Sequence, residues 1–133
     1  MAMSVVSCGI DLVECERIGR VLDAHRRRFL DRVLTRRERQ KAESLAHPIP
    51  HIAGRFAAKE AILKVLGTGW RGSIAWTDME VTNDQWGQPQ VALTGQCARV
   101  ASERGIGQVL LSISHTETHA TAVAIGIRRP HSD

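Results

Sequence analysis

The sequence predicts an α+β domain with a largely antiparallel sheet and helices packed on one face of it. Segments with strand alternation and segments with helical spacing follow one another along the chain. Two strand pairs are joined by connections as short as NDQWGQP and TET, which makes them hairpins and therefore antiparallel. With 133 residues, 43% hydrophobic and 24% charged, the chain has the size and content of one globular domain.

The elements follow in order. Val5 to Val13 reads as a strand. Residues 16 to about 30 read as a helix, with Ile18, Val21, Leu22, His25 and Phe29 at helical spacing. Thr35 with Glu38 three residues on is a capping box that opens TRRERQKAESLA, and Pro48 and Pro50 are expected to end that helix. A third helix is expected from Ile52 to Leu66, closed by Gly67. IAWTDMEVT and QVALT read as a hairpin. Thr94 is expected to cap a helix over GQCARVASERG, and QVLLSISH and HATAVAIGI form a second hairpin. Residues 1–127 are expected to be the domain and RRPHSD, 128–133, a loose tail.

Composition excludes disordered, collagen-like and disulfide-scaffold classes. No apolar run approaches the roughly 18 residues of a membrane span, and MAMSVVSCGIDLVE carries acids where a signal peptide is basic, so a cytoplasmic protein is expected. Cys8, Cys15 and Cys97 form no CxxC pair and read as reduced, buried small residues. The net charge of +4 is unevenly spread: residues 17–41 hold ten Arg or Lys against Asp23, Asp31 and Glu38, a local net of +7. That segment suits nucleic acid, an anionic membrane or an acidic protein, or is simply a solvated helix face.

Three side chains are out of place on apolar elements. The third helix is apolar almost all round, yet Glu60 and Lys64 fall at about 340° and 20° on a wheel that starts at Ala53, inside the stripe of Phe56, Ala57 and Leu63. A Glu–Lys pair four apart explains the pairing but not its place; a metal ligand or base at Glu60 and a phosphate contact at Lys64 explain both. Asp11 interrupts the first strand, sharing a face with Ser7, Gly9 and Val13, opposite Val6, Cys8, Ile10 and Leu12. It is either a strand-end acid facing water or a partner of Glu60 at a hard cation such as Mg²⁺. His115 shares a strand face with Val109, Leu111 and Ile113, and Ser112 and Ser114 lie on the other. His47/His51 and His115/His119 lack helical i,i+4 geometry, so zinc is not expected.

GIDLVECERI, RFAAKEAILKVLGTG, WGQP and LSISHTETHATAVAI, in this order, resemble the holo-[acyl-carrier-protein] synthase family, the short bacterial 4′-phosphopantetheinyl transferases. The resemblance covers residues 5–127 and is weakest over 35–52. It implies a compact α+β unit working as a homotrimer with interface sites. It implies Mg²⁺-dependent transfer of the phosphopantetheine arm of coenzyme A to a serine of apo acyl carrier protein, with release of adenosine 3′,5′-bisphosphate. Asp11 and Glu60 match the metal site, and Asp11, Glu60, Lys64 and His115 the catalytic positions. Arg55, Lys64, Gly67, Gly69, Ser114 and His115 match coenzyme A contacts. Glu60 leads as the base, with Asp11 and His115 open. Arg17 and Arg20, with Arg26, Arg27 and Arg28 nearby, match the surface that docks the acidic carrier. The competing reading, a basic nucleic-acid-binding module, leaves Asp11 and Glu60 unexplained and lacks an aromatic platform, since the chain has no Tyr.

Overall fold

The helix expected over 52–66 lies at the centre of the molecule, as an element apolar on nearly every side must. The computed structural model describes residues 4–69 and 73–130. In chain order the elements are β1 (Val5–Glu14), α1 (Cys15–Val33), α2 (Arg36–Glu43), α3 (Pro48–Leu66), a 3₁₀ turn (Trp76–Asp78), β2 (Met79–Asn83), β3 (Pro89–Leu93), α4 (Gly95–Glu103), β4 (Ile106–His115) and β5 (His119–Arg128). β5 is the middle strand of a sheet ordered β1–β5–β4, and β2 with β3 forms a separate pair. All pairings are antiparallel, so the α+β class holds, with two sheets in place of the expected one.

Helix α3 lies on one face of the three-stranded sheet. Its alanines 53, 57, 58 and 61 are fully buried, as are Ala122 and Ala124 of β5, which lets helix and sheet approach closely. The chain termini are tied together because β1 pairs with β5 from Val5–Ile127 to Glu14–His119.

Several boundaries differ from the sequence reading. Pro48 and Pro50 do not end α2; they sit in the first turn of α3, where a missing N–H leaves no intrahelical bond unmade. α2 stops earlier, at Glu43, and the Thr35–Glu38 capping box is present in both directions. α1 runs on to Val33 but breaks at His25, whose φ/ψ of −145°/41° is not helical. The break turns Leu30 inward, leaves Phe29 half-buried and puts His25 outside the stripe. Residues 76–78 form a 3₁₀ turn, so β2 begins only at Met79. Thr94 stands at the N-cap of α4 without a side-chain cap; its hydroxyl lies 3.4 Å from Asp78 O. Arg128 belongs to β5 and Arg129 N–H donates to Gly105 O, so the expected tail begins later; residues 131–133 and 1–3 lie outside the described residues.

The faces of β1 are divided as the alternation predicts, but the less apolar face is the inner one. Gly9 and Val13 are buried and Ser7 and Asp11 partly so, whereas Ile10 and Leu12 are 61% and 66% exposed. Cys8 is likewise an exposed thiol, against the buried state expected for it.

The elements are locked by a charge pair that the sequence reading passed over. Lys59 is fully buried, and its ammonium donates to Glu38 Oε1 at 2.6 Å, Val33 O at 2.7 Å and Trp76 O at 3.2 Å. Glu38 Oε1 also accepts from Thr35 N, and Oε2 accepts from Val81 N at 2.7 Å. Removing one member of a buried pair leaves the other uncompensated. Lys59→Met should therefore lower the urea-unfolding free energy by about 3–5 kcal/mol, and joint replacement of Glu38 and Lys59 by apolar residues should recover part of it. A loss under about 1 kcal/mol, the range of exposed pairs, would mean the pair does not hold these elements together.

Candidate active site

Glycine brings β1 and α3 together at the site. A Cβ on Gly9 would overlap the Ala61 carbonyl and lie 2.8 Å from Lys64 Cβ. Beside it, Ser7 Oγ donates to Val65 O at 2.7 Å. These contacts set β1 against the last turns of α3, with Ser7 at Val65 and Gly9 at Ala61 and Lys64. Lys64 Nζ donates to Ile10 O at 2.6 Å and lies 3.4 Å from Asp11 Oδ1. The Asp11 side chain is 20% exposed and that of Lys64 is 52% exposed, so both are reachable from solvent while held against the seam. Asp11 is therefore an inward, ion-paired acid and not a strand-end acid in open water.

This donor set has a definite chemical character. Among the described residues, no three or more His, Cys, Asp or Glu side chains are gathered to hold an ion. Mg²⁺ is bound through one or two carboxylates, with water and substrate phosphate oxygens completing its shell. Asp11 and Glu60, with Lys64 beside them, fit that pattern.

A second cluster lies farther toward the start of α3. Arg55 is buried, and its Nη2 donates to Asn83 Oδ1 at 2.9 Å. His51, one turn earlier on the same helix face, feels the charges of Arg55, Lys41 and His115. His115, at the exposed end of β4, faces the α3 side of the sheet with Leu111 and Ile113, as predicted. His47 stands at the N-cap of α3 with non-helical angles and no side-chain cap bond, and His51 follows Pro48–Pro50 within the helix, so the pair straddles the helix start.

The remaining candidates are distributed as follows. Gly67 ends α3 at φ 75°, and a Cβ there would overlap the Arg104 guanidinium. Arg104 caps the helix by donating to Val65 O and Leu66 O at 3.0 and 2.6 Å. Gly69, at φ 58°, has open space beside it. Ser114 is on the outer sheet face, paired with Thr121, away from Asp11 and Lys64. Arg17, Arg20, Arg26, Arg27 and Arg28 are all exposed on α1, and Arg20 pairs with Glu16 at 3.1 Å.

Two measurements check this geometry. Gly9→Ala should cost about 1–3 kcal/mol in urea unfolding, the range of overpacked seams, and abolish any activity that needs Asp11 and Lys64 together; unchanged stability and activity would show a looser seam. The pKa of His51 is pushed down from 6.5 to about 4, first by burial and then by Arg55, Lys41 and His115. As pH falls, the unfolded chain therefore takes this proton first. The stability that comes from a neutral His51 is complete above pH 6.5 and is lost progressively toward pH 4. Across that window His51→Phe should lose stability less steeply than wild type, read as urea midpoints against pH; parallel curves would remove His51 as the source.

Known proteins resemble this chain along nearly its whole length. Residues 7–124 match the profile of the 4′-phosphopantetheinyl transferase superfamily. The chain is 44% identical over 119 residues to the holo-[acyl-carrier-protein] synthase of Caldanaerobacter subterraneus subsp. tengcongensis, across 90% of this chain and 92% of that one. Its fold superposes on the acyl carrier protein synthase of Plasmodium yoelii with ADP bound, at a TM-score of 0.87 and 30% identity, across 98% of this chain and 100% of that one. It also superposes on the holo-(acyl-carrier-protein) synthase of Bacillus anthracis in complex with coenzyme A (3′,5′-ADP), at 0.78 and 36% identity, across 96% of this chain and 99% of that one. The chain belongs to the 4′-phosphopantetheinyl transferase superfamily.

Proposed function

We propose that this chain transfers the 4′-phosphopantetheine arm of coenzyme A to a serine hydroxyl of apo acyl carrier protein, activating the carrier for fatty-acid or polyketide synthesis. The observation that carries the reading is the Asp11–Lys64 contact on the seam beside Glu60, in a chain of this family.

The serine oxygen attacks the phosphorus that bears the pantetheine arm. The bond from that phosphorus to the bridging oxygen of the diphosphate breaks, and adenosine 3′,5′-bisphosphate leaves with the electron pair. The hydroxyl proton passes to the carboxylate of Glu60, the base of this reading, since Lys64 holds Asp11. The Lys64 ammonium, fixed by Ile10 O, stabilises negative charge gathering on the departing phosphate. Asp11 and Glu60 would hold Mg²⁺, which when bound supplies further neutralisation of that charge. Arg55 and His115 take the nucleotide end, and the Gly67–Gly69 backbone, unobstructed at Gly69, allows close approach of a phosphate.

The chain works as a homotrimer in this reading. Ile10, Leu12, Leu110 and Val123 form an exposed apolar face on the side of the sheet away from α3, with Ile10 opposite Val123. Such a face favours burial against another copy. Ser114 is on this same face, so it reaches coenzyme A only at a site completed across subunits. The carrier docks on α1 through Arg17, Arg20, Arg27 and Arg28, whose charge complements an acidic partner. A cytoplasmic setting is supported by the free thiols of Cys8, Cys15 and Cys97. No helix among the described residues is long and apolar enough to cross a membrane.

Intact-protein mass spectrometry tests the reaction. An apo acyl carrier protein incubated with the chain, coenzyme A and Mg²⁺ should gain the phosphopantetheine mass, and EDTA should prevent it. Glu60→Gln should reduce transfer at least about 100-fold, the low end of general-base contributions. Turnover within a few-fold of wild type would remove Glu60 as the base. Arg17→Glu with Arg20→Glu should raise the KM for carrier and leave that for coenzyme A in place; an equal rise in both would place docking elsewhere. Light scattering should give a threefold mass for wild type and a smaller one for Leu12→Glu. A monomeric wild type would leave the outer face without its proposed role.

A further inference from the structure

Helix α3 ends beside the proposed reaction site, and a C-terminus is the wrong end of a helix for an anion. The peptide dipoles of its 19 residues place roughly half a negative charge on the last carbonyls. Lys64 stands in that last turn, but its ammonium is already engaged with Ile10 O and Asp11. Gly67 follows three residues later, about 4.5 Å farther along the axis. A phosphate beside Lys64 and the Gly67–Gly69 turn therefore lies within one turn of carbonyls that repel it.

These carbonyls are covered by donors from three parts of the chain. Leu63 O accepts the Gly67 N–H at 2.9 Å. Val65 O accepts the Ser7 hydroxyl of β1 at 2.7 Å and Arg104 Nη1 at 3.0 Å. Leu66 O accepts the same arginine nitrogen at 2.6 Å. The guanidinium lies against Gly67, where a Cβ would overlap Nη1 and come within 3.3 Å of Cζ. Arg104 reaches this point from the end of α4. Its own N–H donates to Val100 O, and Gly105 O accepts the Arg129 N–H just beyond β5, so its backbone is held. Among the described residues the guanidinium meets carbonyls and no carboxylate, so its charge is not offset by an acid. A neutral donor would satisfy the two carbonyls as hydrogen bonds. A guanidinium also adds a whole positive charge where the dipole places about half a negative one, which reverses the sign of the helix end.

We infer that Arg104 is a positioning residue for the diphosphate of coenzyme A, acting through the α3 terminus, whose negative end it neutralises and whose Gly67 it clamps. The inference rests on the coenzyme A reading above and gives Arg104 a part that this reading leaves out. Because Arg104 stands at the end of α4 and the proposed carrier surface is on α1, its effect falls on the anionic ligand and leaves carrier docking alone.

Calorimetry with coenzyme A and Mg²⁺ on the full chain tests this. Arg104→Met should weaken binding about fivefold, the scale of a charge acting at a helix end, and Arg104→Lys, which keeps the charge, should restore most of the loss. The KM for carrier should keep its wild-type value in both variants. An unchanged affinity in Arg104→Met overturns the inference. So does an Arg104→Lys chain as weak as Arg104→Met, which reduces the residue to its shape, and so does a rise in the carrier KM equal to the loss for coenzyme A, which reduces it to general folding. A second readout needs no variant and decides the matter if Arg104→Met does not fold. The Arg104 ¹⁵Nε resonance of wild type should move on adding coenzyme A and stay in place with adenosine 3′-monophosphate, which lacks the diphosphate; equal response to both, or none to either, overturns the assignment. A wild type that binds no coenzyme A and modifies no carrier defeats the functional reading, and this inference with it. Intact transfer with wild-type affinity for coenzyme A in Arg104→Met defeats this inference alone.

Discussion

Moving the Lys59 ammonium out of water costs several kcal/mol, and the helical half of the molecule is arranged around offsetting that cost. Its three acceptors come from different parts of the chain: the last residue of α1, the first turn of α2, and the 3₁₀ turn before β2. Glu38 then reaches on to Val81 N and so fixes β2 as well. Thr35 adds a hydroxyl bond to Glu80 at 2.6 Å, which ties the same strand to the start of α2. Beside this network, Phe29, Phe56 and Trp76 stack at centroid separations of 6.0 and 4.9 Å and close the apolar side of the junction. The separate two-stranded sheet is thus joined to the helices by directed polar bonds as well as by burial.

The same pair decides how α3 is turned. Lys59 and Glu60 are neighbours about 100° apart on the helix. With Lys59 fixed toward α2 and β2, Glu60 and Lys64 are carried to the β1 side. Arg55, one turn before Lys59, stays on the α2 side and is the second buried cation there. Glu38 serves both electrostatically, while burial pulls each of their pKa values down. One shared carboxylate leaves that side of α3 short of negative charge. The β1 side has the opposite character, with carboxylates at Asp11 and Glu60 around Lys64. A single helix therefore presents one side rich in cations and another on which Glu60 and Lys64 meet the Asp11 carboxylate of β1.

What the sequence revealed follows the range of the interactions involved. The Thr35–Glu38 box, the Gly67 stop and the hairpins were legible because each depends on residues a few positions apart. Asp11, Glu60 and Lys64 were legible because they break an apolar pattern. Lys59 breaks it too, but as one more charge near Glu60 it carried no distinct signal, and its partner lies 21 residues away. The capping-box reading found Glu38 but gave it only its local task. Pro48 and Pro50 were misread because proline ends one helix and opens another with the same chemistry, and only the position of the following turn separates the two. Strand β1 was read with the right alternation, yet its larger apolar residues face outward. Hydrophobicity alone could not show that the inner face must be small for α3 to approach.

That requirement of smallness links the fold to the chemistry. Phosphoryl transfer of this kind depends on holding charges in place, and misplacement by about 1 Å can cost about 100-fold in rate. Long side chains between α3 and the sheet would separate them and leave Lys64 and Asp11 to meet across solvent on flexible stems. Glycine at 9 and alanines at 61, 122 and 124 remove that gap, so a backbone carbonyl, Ile10 O, becomes the anchor of the lysine. A carbonyl in a strand ladder moves far less than a side chain. Lys64 thereby keeps a fixed position while its side chain stays half exposed to solvent, and Asp11 inherits that position through the ion pair. The small residues of β1, α3 and β5 are thus the packing condition under which two charges near a protein surface act as a preorganised site.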